Sequence, residues 1–445
     1  MTPKGSSKST VHPNPQDRPG RPPEGRPPVA RRENSTRLGF RTLWSAATAS
    51  AFGSGLIVSA LPLLAAGITR NPLAISGLSA AQGLPWLLVG LPAGVLVDRF
   101  DRRRLIRLAN VARAVLLALA VLAIARDAIG IFALYGLAAL LGAGETVQVG
   151  ATTALLPSIV PAEELPRANG MLATSQMLGE QTFGPVLGGL LFGAASAVPF
   201  AADGLFFVGS ALMLSPASGS RVSSPGSGTD APPTAPLRRS ARAALAWFLG
   251  QPALELMVAT IAAMAFSQSM VLGVLVLFAL RCLHIARAGY GVLLAVGAAG
   301  SVASGAGAKT VMRRLGPAGT VLVAGAVAGT AYLALSTVSS AALAGISLFA
   351  EGAAVMTGNV ASNVVRQSLI PGDMLGRVGN VTRMFIWGAV PLGALAGGAV
   401  ASAWGLRVPL VLAGGLQLLT VAVAARPLRR LLGSRLATEA QKQER

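Results

Sequence analysis

GVLVDRFDRR, residues Gly94–Arg103, closes one long apolar segment, and a weaker copy, GAGAKTVMRR at Gly305–Arg314, closes another 211 residues further on. Each reads as a basic hairpin between apolar stretches, and the two stand at matching places in the two halves of the chain. A second pair repeats the spacing. VPAEELPRANG (Val160–Gly170) aligns with IPGDMLGRVGN (Ile370–Asn380), pairing Pro161 with Pro371, Glu163 with Asp373, Leu165 with Leu375 and Arg167 with Arg377 at an offset of 210. Two independent matches at nearly one offset imply an internal duplication. Six apolar spans separate equivalent points, so the copies share one orientation and a pseudo-two-fold axis along the membrane normal.

Composition agrees with a membrane setting. Hydrophobic residues make up 53% and charged residues 12%, and the mean hydropathy is +0.61, far above that of a soluble domain. The net charge of +20 would suggest nucleic acid in a soluble protein. Here Lys and Arg fall in tails and hairpins without a basic stripe interleaved with aromatics, so topology explains them and no nucleic-acid partner is expected. Cys282 has no second cysteine to pair with, and His12 and His284 do not make a metal cluster, which argues against zinc or thiol chemistry. Residues 1 to about 37, rich in Pro, Ser and Arg, lack an apolar core and are expected to be a disordered tail, not a signal peptide.

About 20 apolar residues cross the hydrocarbon core. On that rule the spans are Phe40–Ala66, Leu73–Val97, Leu105–Ala125, Ile129–Leu156, Asn169–Ala194 and Ser196–Leu214, then Leu254–Arg281, Gly289–Val311, Pro317–Val338, Ser340–Val365, Gly379–Ala401 and Trp404–Ala425. The expected fold is therefore all-α and integral to the membrane, with twelve transmembrane helices in two six-helix halves. The domain reading is a basic cytoplasmic tail over 1–38, an N-terminal half over 39–215, a Pro/Gly/Ser-rich cytoplasmic linker over 216–250, a C-terminal half over 251–428 and a tail over 429–445. Arg99, Arg102, Arg103, Arg104, Lys309, Arg313 and Arg314 lie on the side shared by both tails and the linker; the other side holds Arg70, Arg126, Arg281 and Arg287. The positive-inside rule puts both termini in the cytoplasm.

At this point the chain resembles the major facilitator superfamily. Its hallmark after the second helix is a Gly, an Asp-Arg pair and a basic cluster, matched here by Gly94, Asp98, Arg99, Arg102 and Arg103, with Asp101 where a glycine is usual. The copy retains Gly305, Arg313 and Arg314 but has Lys309 in the position of Asp98. The resemblance implies a gating role for the first set: Asp98 pairs across the interface between halves in one state and releases in the other. GEQTFGPVLGG (Gly179–Gly189) resembles the antiporter motif of exporting members, through Gly184, Pro185, Gly188 and Gly189, with one extra residue after Gly179. Together with LLPSIVPAEELPRANG and ADGLFFVGSALML, the organisation looks like the branch of enterobactin-type siderophore exporters and macrolide efflux proteins. The arginine common in the fourth helix of drug–proton antiporters is missing from LYGLAALLGAG.

Ionisable residues inside spans are functional candidates by default. Glu145 sits mid-way along the fourth span with Gln148 and Thr152 on its face; Glu180 sits in the fifth with Gln176; Glu351 sits in the tenth, with Asn359 and Asn363 at multiples of four. In the superfamily the first, fourth, seventh and tenth helices line the cavity, which favours Glu145 and Glu351. A buried carboxylate that changes protonation when a cation or a conformational change reaches it supplies the minimum chemistry for exchanging a proton against cargo. Arg113, Arg383, Asp203 and Glu255 read as structural or interfacial.

The functional expectation is a secondary active transporter of a plasma (inner) membrane, bacterial in composition and acting as a monomer. It exports a small amphipathic organic molecule, such as a drug, siderophore or other natural product, by proton antiport and alternating access. No phosphate-binding loop is present, so a proton gradient and no cofactor is the expected energy source, and no enzyme is expected. The alternatives are an uptake permease of the same fold and a membrane scaffold that transports nothing.

Overall fold

The computed structural model describes residues 29–88, 100–214, 244–370 and 374–443. They are helical almost throughout. In chain order the helices are α1 Val29–Ile68, α2 Pro72–Leu88, α3 Arg102–Ala125, α4 Ile131–Ile159, α5 Leu165–Gln176, α6 Gly184–Ala194, α7 Val198–Met213, α8 Pro252–Arg281, α9 Arg287–Thr337, α10 Ala341–Leu369, α11 Leu375–Trp404 and α12 Val408–Gln443. A π-helical segment, Met177–Phe183, joins α5 to α6 in one continuous rod.

Nine stretches among the described residues are long and apolar enough to cross a membrane. Helices satisfy their own backbone hydrogen bonds and can therefore sit in hydrocarbon. The twelve spans read from the sequence differ from these nine for local reasons. Description of α2 stops at Leu88, before the expected end of its span; the π segment divides the fifth span; and α7 has only 16 residues. The expected hairpin at Gly305–Arg314 is instead helical, and the chain turns at Gly316, whose φ of 69° no β-carbon tolerates well, before Pro317 starts the second arm of α9. Similarly, α1 begins at Val29, within the region expected as a tail, and α12 runs on to Gln443. Residues 216–243 of the linker, Gly94, Asp98 and Arg99 lie outside the described residues; 244–249, read from the sequence as the end of the linker, are helical, with Ala244 and Phe248 buried.

Helix ends follow ordinary capping chemistry. The Asp101 side chain accepts from the backbone N–H of Arg104 at 2.8 Å and caps α3, and Gly405, at φ 92°, lets the chain leave α11. Pro62, Pro85, Pro157, Pro391 and Pro427 lie within helices, where each removes one backbone bond and favours a bend.

α1 packs on α7 and α6, α3 on α7 and α4, and α2 on α4; α9 packs on α10 and α12, and α8 on α11 and α12. These two groups meet through α2 against α11 and through α6 against α9. At the first seam Leu73 N donates to Ser402 Oγ at 3.2 Å, and a β-carbon on Gly83 would sit 3.2 Å from Pro391 Cγ. At the second, a β-carbon on Gly189 would lie 2.9 Å from Gly291 Cα, so the two backbones are nearly in contact. Small residues at such seams are what lets membrane helices approach closely.

Candidate functional site

The site is built around three consecutive residues of α1, Gly53, Ser54 and Gly55. A β-carbon on Gly53 would collide with Asp203 Oδ1 of α7, and one on Gly55 would collide with the Gly179 carbonyl and lie 2.9 Å from Glu180 Cα. Ser54 Oγ, between them, accepts from Arg113 Nη2 of α3 at 2.9 Å. The same guanidinium donates through Nη1 to Gln148 Oε1 of α4 at 2.8 Å, and that oxygen also accepts from Ser50 Oγ at 2.9 Å. Arg113 passes over Gly144, where a β-carbon would lie 2.8 Å from its Cγ and Cδ, and its guanidinium carbon rests 3.9 Å from the centroid of the Phe207 ring. This placement spreads the charge over an aromatic face.

Glu145, Glu180 and Asp203 all act on Arg113 electrostatically. One cation and three carboxylates thus share one level of the N-terminal helix group. Beside them lies a cavity of about 210 Å³, lined by residues including Ser50, Ser54, Glu145, Gln148, Thr152, Gln176 and Glu180. Gln176 Nε2 donates to Glu180 Oε2 at 3.2 Å, one turn away. The π segment carries Glu180, and π geometry is an uncommon local conformation often found at functional positions.

The structure brings together Glu145, Gln148 and Glu180 from the expected set and keeps Glu351 in a separate arrangement. Glu351 Oε1 of α10 accepts from Gln268 Nε2 of α8 at 2.8 Å and from Tyr332 Oη of α9 at 2.9 Å, tying three helices together. Asn359 and Asn363, further along α10, are exposed, and Asn363 Oδ1 accepts from Arg366 within its own helix. Neither is hydrogen-bonded to Glu351. Gly184, Pro185, Gly188 and Gly189 form the buried face of α6. Ser59 Oγ of α1 donates to the Pro185 carbonyl at 2.8 Å. Arg102 Nη1 donates to the Ala154 carbonyl at 2.9 Å, fastening α3 to the cytoplasm-facing end expected for α4.

Arg113 and Asp203, read from the sequence as structural, stand at the centre of the cluster. Their signal was available, since each is a charge inside an apolar helix, but the spacing that joins them to Glu145 and Glu180 is tertiary. Ser50 and Ser54 gave no signal, because single serines are common in membrane helices. At the repeat offset of 210 residues, Val323, Val355, Val390 and Ala413 stand where Arg113, Glu145, Glu180 and Asp203 do. On the duplication expected from the sequence, the charge cluster has no counterpart in the second copy.

This helical architecture is that of multi-pass membrane transporters. The chain matches a bacterial homologue of the lysosomal transporter Spinster in an inward-facing, occupied conformation, with a TM-score of 0.69 and 14% identity over 88% of this chain and 97% of that one. It matches a point mutant of the nucleoside transporter NupG with a TM-score of 0.71 and 9% identity over 87% of this chain and 99% of that one. Among curated sequences it is 28% identical to the uncharacterized MFS-type transporter YfiS of Bacillus subtilis over 39% of this chain and 41% of that protein. It is 34% identical to the uncharacterized MFS-type transporter Rv0037c of Mycobacterium tuberculosis over 31% of each. The chain thus spans less than half the length of these curated relatives. The family model described as transmembrane secretion effector, MFS_3, matches residues 35–441, and the chain belongs to that family of the major facilitator kind.

Proposed function

We propose that the protein is a proton-coupled exporter of a small amphipathic organic molecule, built of twelve spans in two halves that rock about a midplane site. The observation that carries this reading is the cavity flanked by Glu145 and Glu180 with Arg113 behind them. Carboxylates in hydrocarbon are costly and are kept where protons or cations must be handled. The equal lengths of α4 and α10, 29 residues each, support the two-half reading, as do the starts of α7 and α12 at Val198 and Val408, one repeat offset apart. The buried Gly/Pro face of α6 against α1 and α9 supports export on the antiporter-motif resemblance. The siderophore-exporter and macrolide-efflux branch supplies the cargo class, with both termini cytoplasmic in a bacterial inner membrane. Asp98 with Arg99, Arg102 and Arg103 acts as the gate between halves.

Everted membrane vesicles carrying the protein test this, with ethidium and a macrolide as probes. Accumulation driven by an imposed ΔpH and abolished by a protonophore supports export by antiport. Accumulation only in right-side-out vesicles indicates uptake, and the absence of flux under every gradient favours a scaffold.

A further inference from the structure

Asp203 is buried to 1% exposure, and neither of its carboxylate oxygens has a hydrogen-bond partner among the described residues. Arg113 is buried to 3%, and its Nε has no acceptor either. The two are near neighbours by helix geometry. Arg113 rests on the Phe207 ring, and Phe207 follows Asp203 by four residues on α7, about 6 Å along the helix axis. Asp203 Oδ1 lies against Gly53 of α1, the residue before Ser54, which accepts from Arg113. An acceptor without a donor and a donor without an acceptor therefore lie within one turn of each other, an ion pair that is not made.

Both groups have reasons not to be idle. An unpaired ionised carboxylate out of water is expensive unless it takes a proton or gains a cation. Arg113, meanwhile, is held by neutral partners, Gln148 and Ser54, although three carboxylates act on it electrostatically. The groups acting on Asp203 are Arg113 from α3 and Glu145 from α4; α1 presents Gly53 and α6 carries no ionisable residue.

We propose that Asp203 is a proton-carrying residue of the transport cycle, and that its deprotonated carboxylate draws the Arg113 guanidinium off Gln148 and Ser54. In the arrangement described, Asp203 holds the proton on its carboxyl and Arg113 braces the cavity wall. When that proton leaves to water, the carboxylate pairs with Arg113; Gln148 Oε1, on the cavity side, is left with Ser50 alone, and the cavity loses a fixed cation beside Glu145 and Glu180. Reprotonation of Asp203 reverses the exchange. Proton occupancy and cargo affinity are thereby linked through one side chain. Asp203 touches protons, and Arg113 is a positioning residue.

This rests on the proton-antiport reading, so the test has one part that needs no cargo. Infrared difference spectra of the purified protein through a pH titration should show a carboxylic C=O band that is missing in Asp203→Asn and kept in Glu145→Gln and Glu180→Gln. A guanidinium band shift should accompany it and be lost in Arg113→Lys. A titrating band unchanged in Asp203→Asn overturns the proposal, whatever the transport data say. In proteoliposomes with ethidium as probe, Asp203→Asn should lose at least tenfold in ΔpH-driven accumulation while keeping gradient-free exchange, and Asp203→Glu should restore part of the driven transport. Equal loss of both activities in a folded Asp203→Asn protein contradicts the coupling role. If the wild type moves no probe, the antiport reading fails on that arm while the infrared arm still decides Asp203.

Discussion

Arg113 Nη1 donates to Gln148 Oε1 at 2.8 Å, joining the middle of α3 to the middle of α4 through a residue that also lines the cavity. Gln148 was expected to matter as part of the Glu145 stripe; its partner explains how. An amide oxygen shared between Ser50 and Arg113 holds the side chain in one rotamer and leaves its NH₂ group free for other partners.

Gln148→Leu should therefore impair transport more than a loss of cavity polarity alone, because it deprives a buried guanidinium of an acceptor. We expect a stability loss of about 1–3 kcal/mol, read as a lower melting temperature in detergent, and transport reduced at least tenfold. Gln148→Glu, which keeps an acceptor, should retain the melting temperature. Equal melting of all three proteins would remove Arg113–Gln148 as a structural link.

Gly53 should be intolerant of any side chain. Its missing β-carbon is where Asp203 Oδ1 lies, and overpacking of this kind costs about 1–3 kcal/mol. Gly53→Ala is expected to lower both expression and melting temperature, and Gly53→Ala combined with Asp203→Ala to recover stability without recovering driven transport. Failure of the double variant to recover would show that Gly53 serves another contact.

Glu351 gives a way to separate packing from proton handling in the other group of helices. Glu351→Ala removes the acceptor of Tyr332 and Gln268, at about 0.6–1.7 kcal/mol per lost interhelical bond. Glu351→Gln keeps an acceptor oxygen, so its melting temperature should stay near wild type. If Glu351 also carries protons, driven transport falls in Glu351→Gln despite that stability; unchanged transport assigns it to packing.

The gate is expected to be asymmetric. Lys309 is exposed on α9, whereas Asp98 is the acidic member of the hairpin motif, outside the described residues. Asp98→Asn should reduce transport at least tenfold and Lys309→Gln by less than twofold, measured in the same vesicles. Equal defects would contradict a lock held by the first hairpin alone.

Much of the fold is legible in the sequence because the membrane imposes a simple rule: apolar runs of about 20 residues become helices. Gly316 shows where that reading slips. Basic residues at Lys309, Arg313 and Arg314 suggested a hairpin, yet positive charge sets topology without breaking a helix, and the turn waits for the Gly316-Pro317 pair just beyond them. Of the site, Glu145 and Glu180 could be found by looking for charge inside apolar spans, and Gln148 by its helical spacing from Glu145. Gly53, Ser54 and Gly55 could not. Their role is to let α3, the π segment and α7 bring charges to one level of α1, and nothing in a local window distinguishes such glycines from those that merely pack helices.

The most direct test of proton-coupled export is to watch the proton. Proteoliposomes loaded with a fluorescent pH indicator and held without a gradient should change internal pH when ethidium or a macrolide is added outside, in proportion to cargo entry. The change should vanish in the Glu145→Gln and Asp203→Asn proteins. Cargo movement with no accompanying pH change in the wild type would contradict antiport.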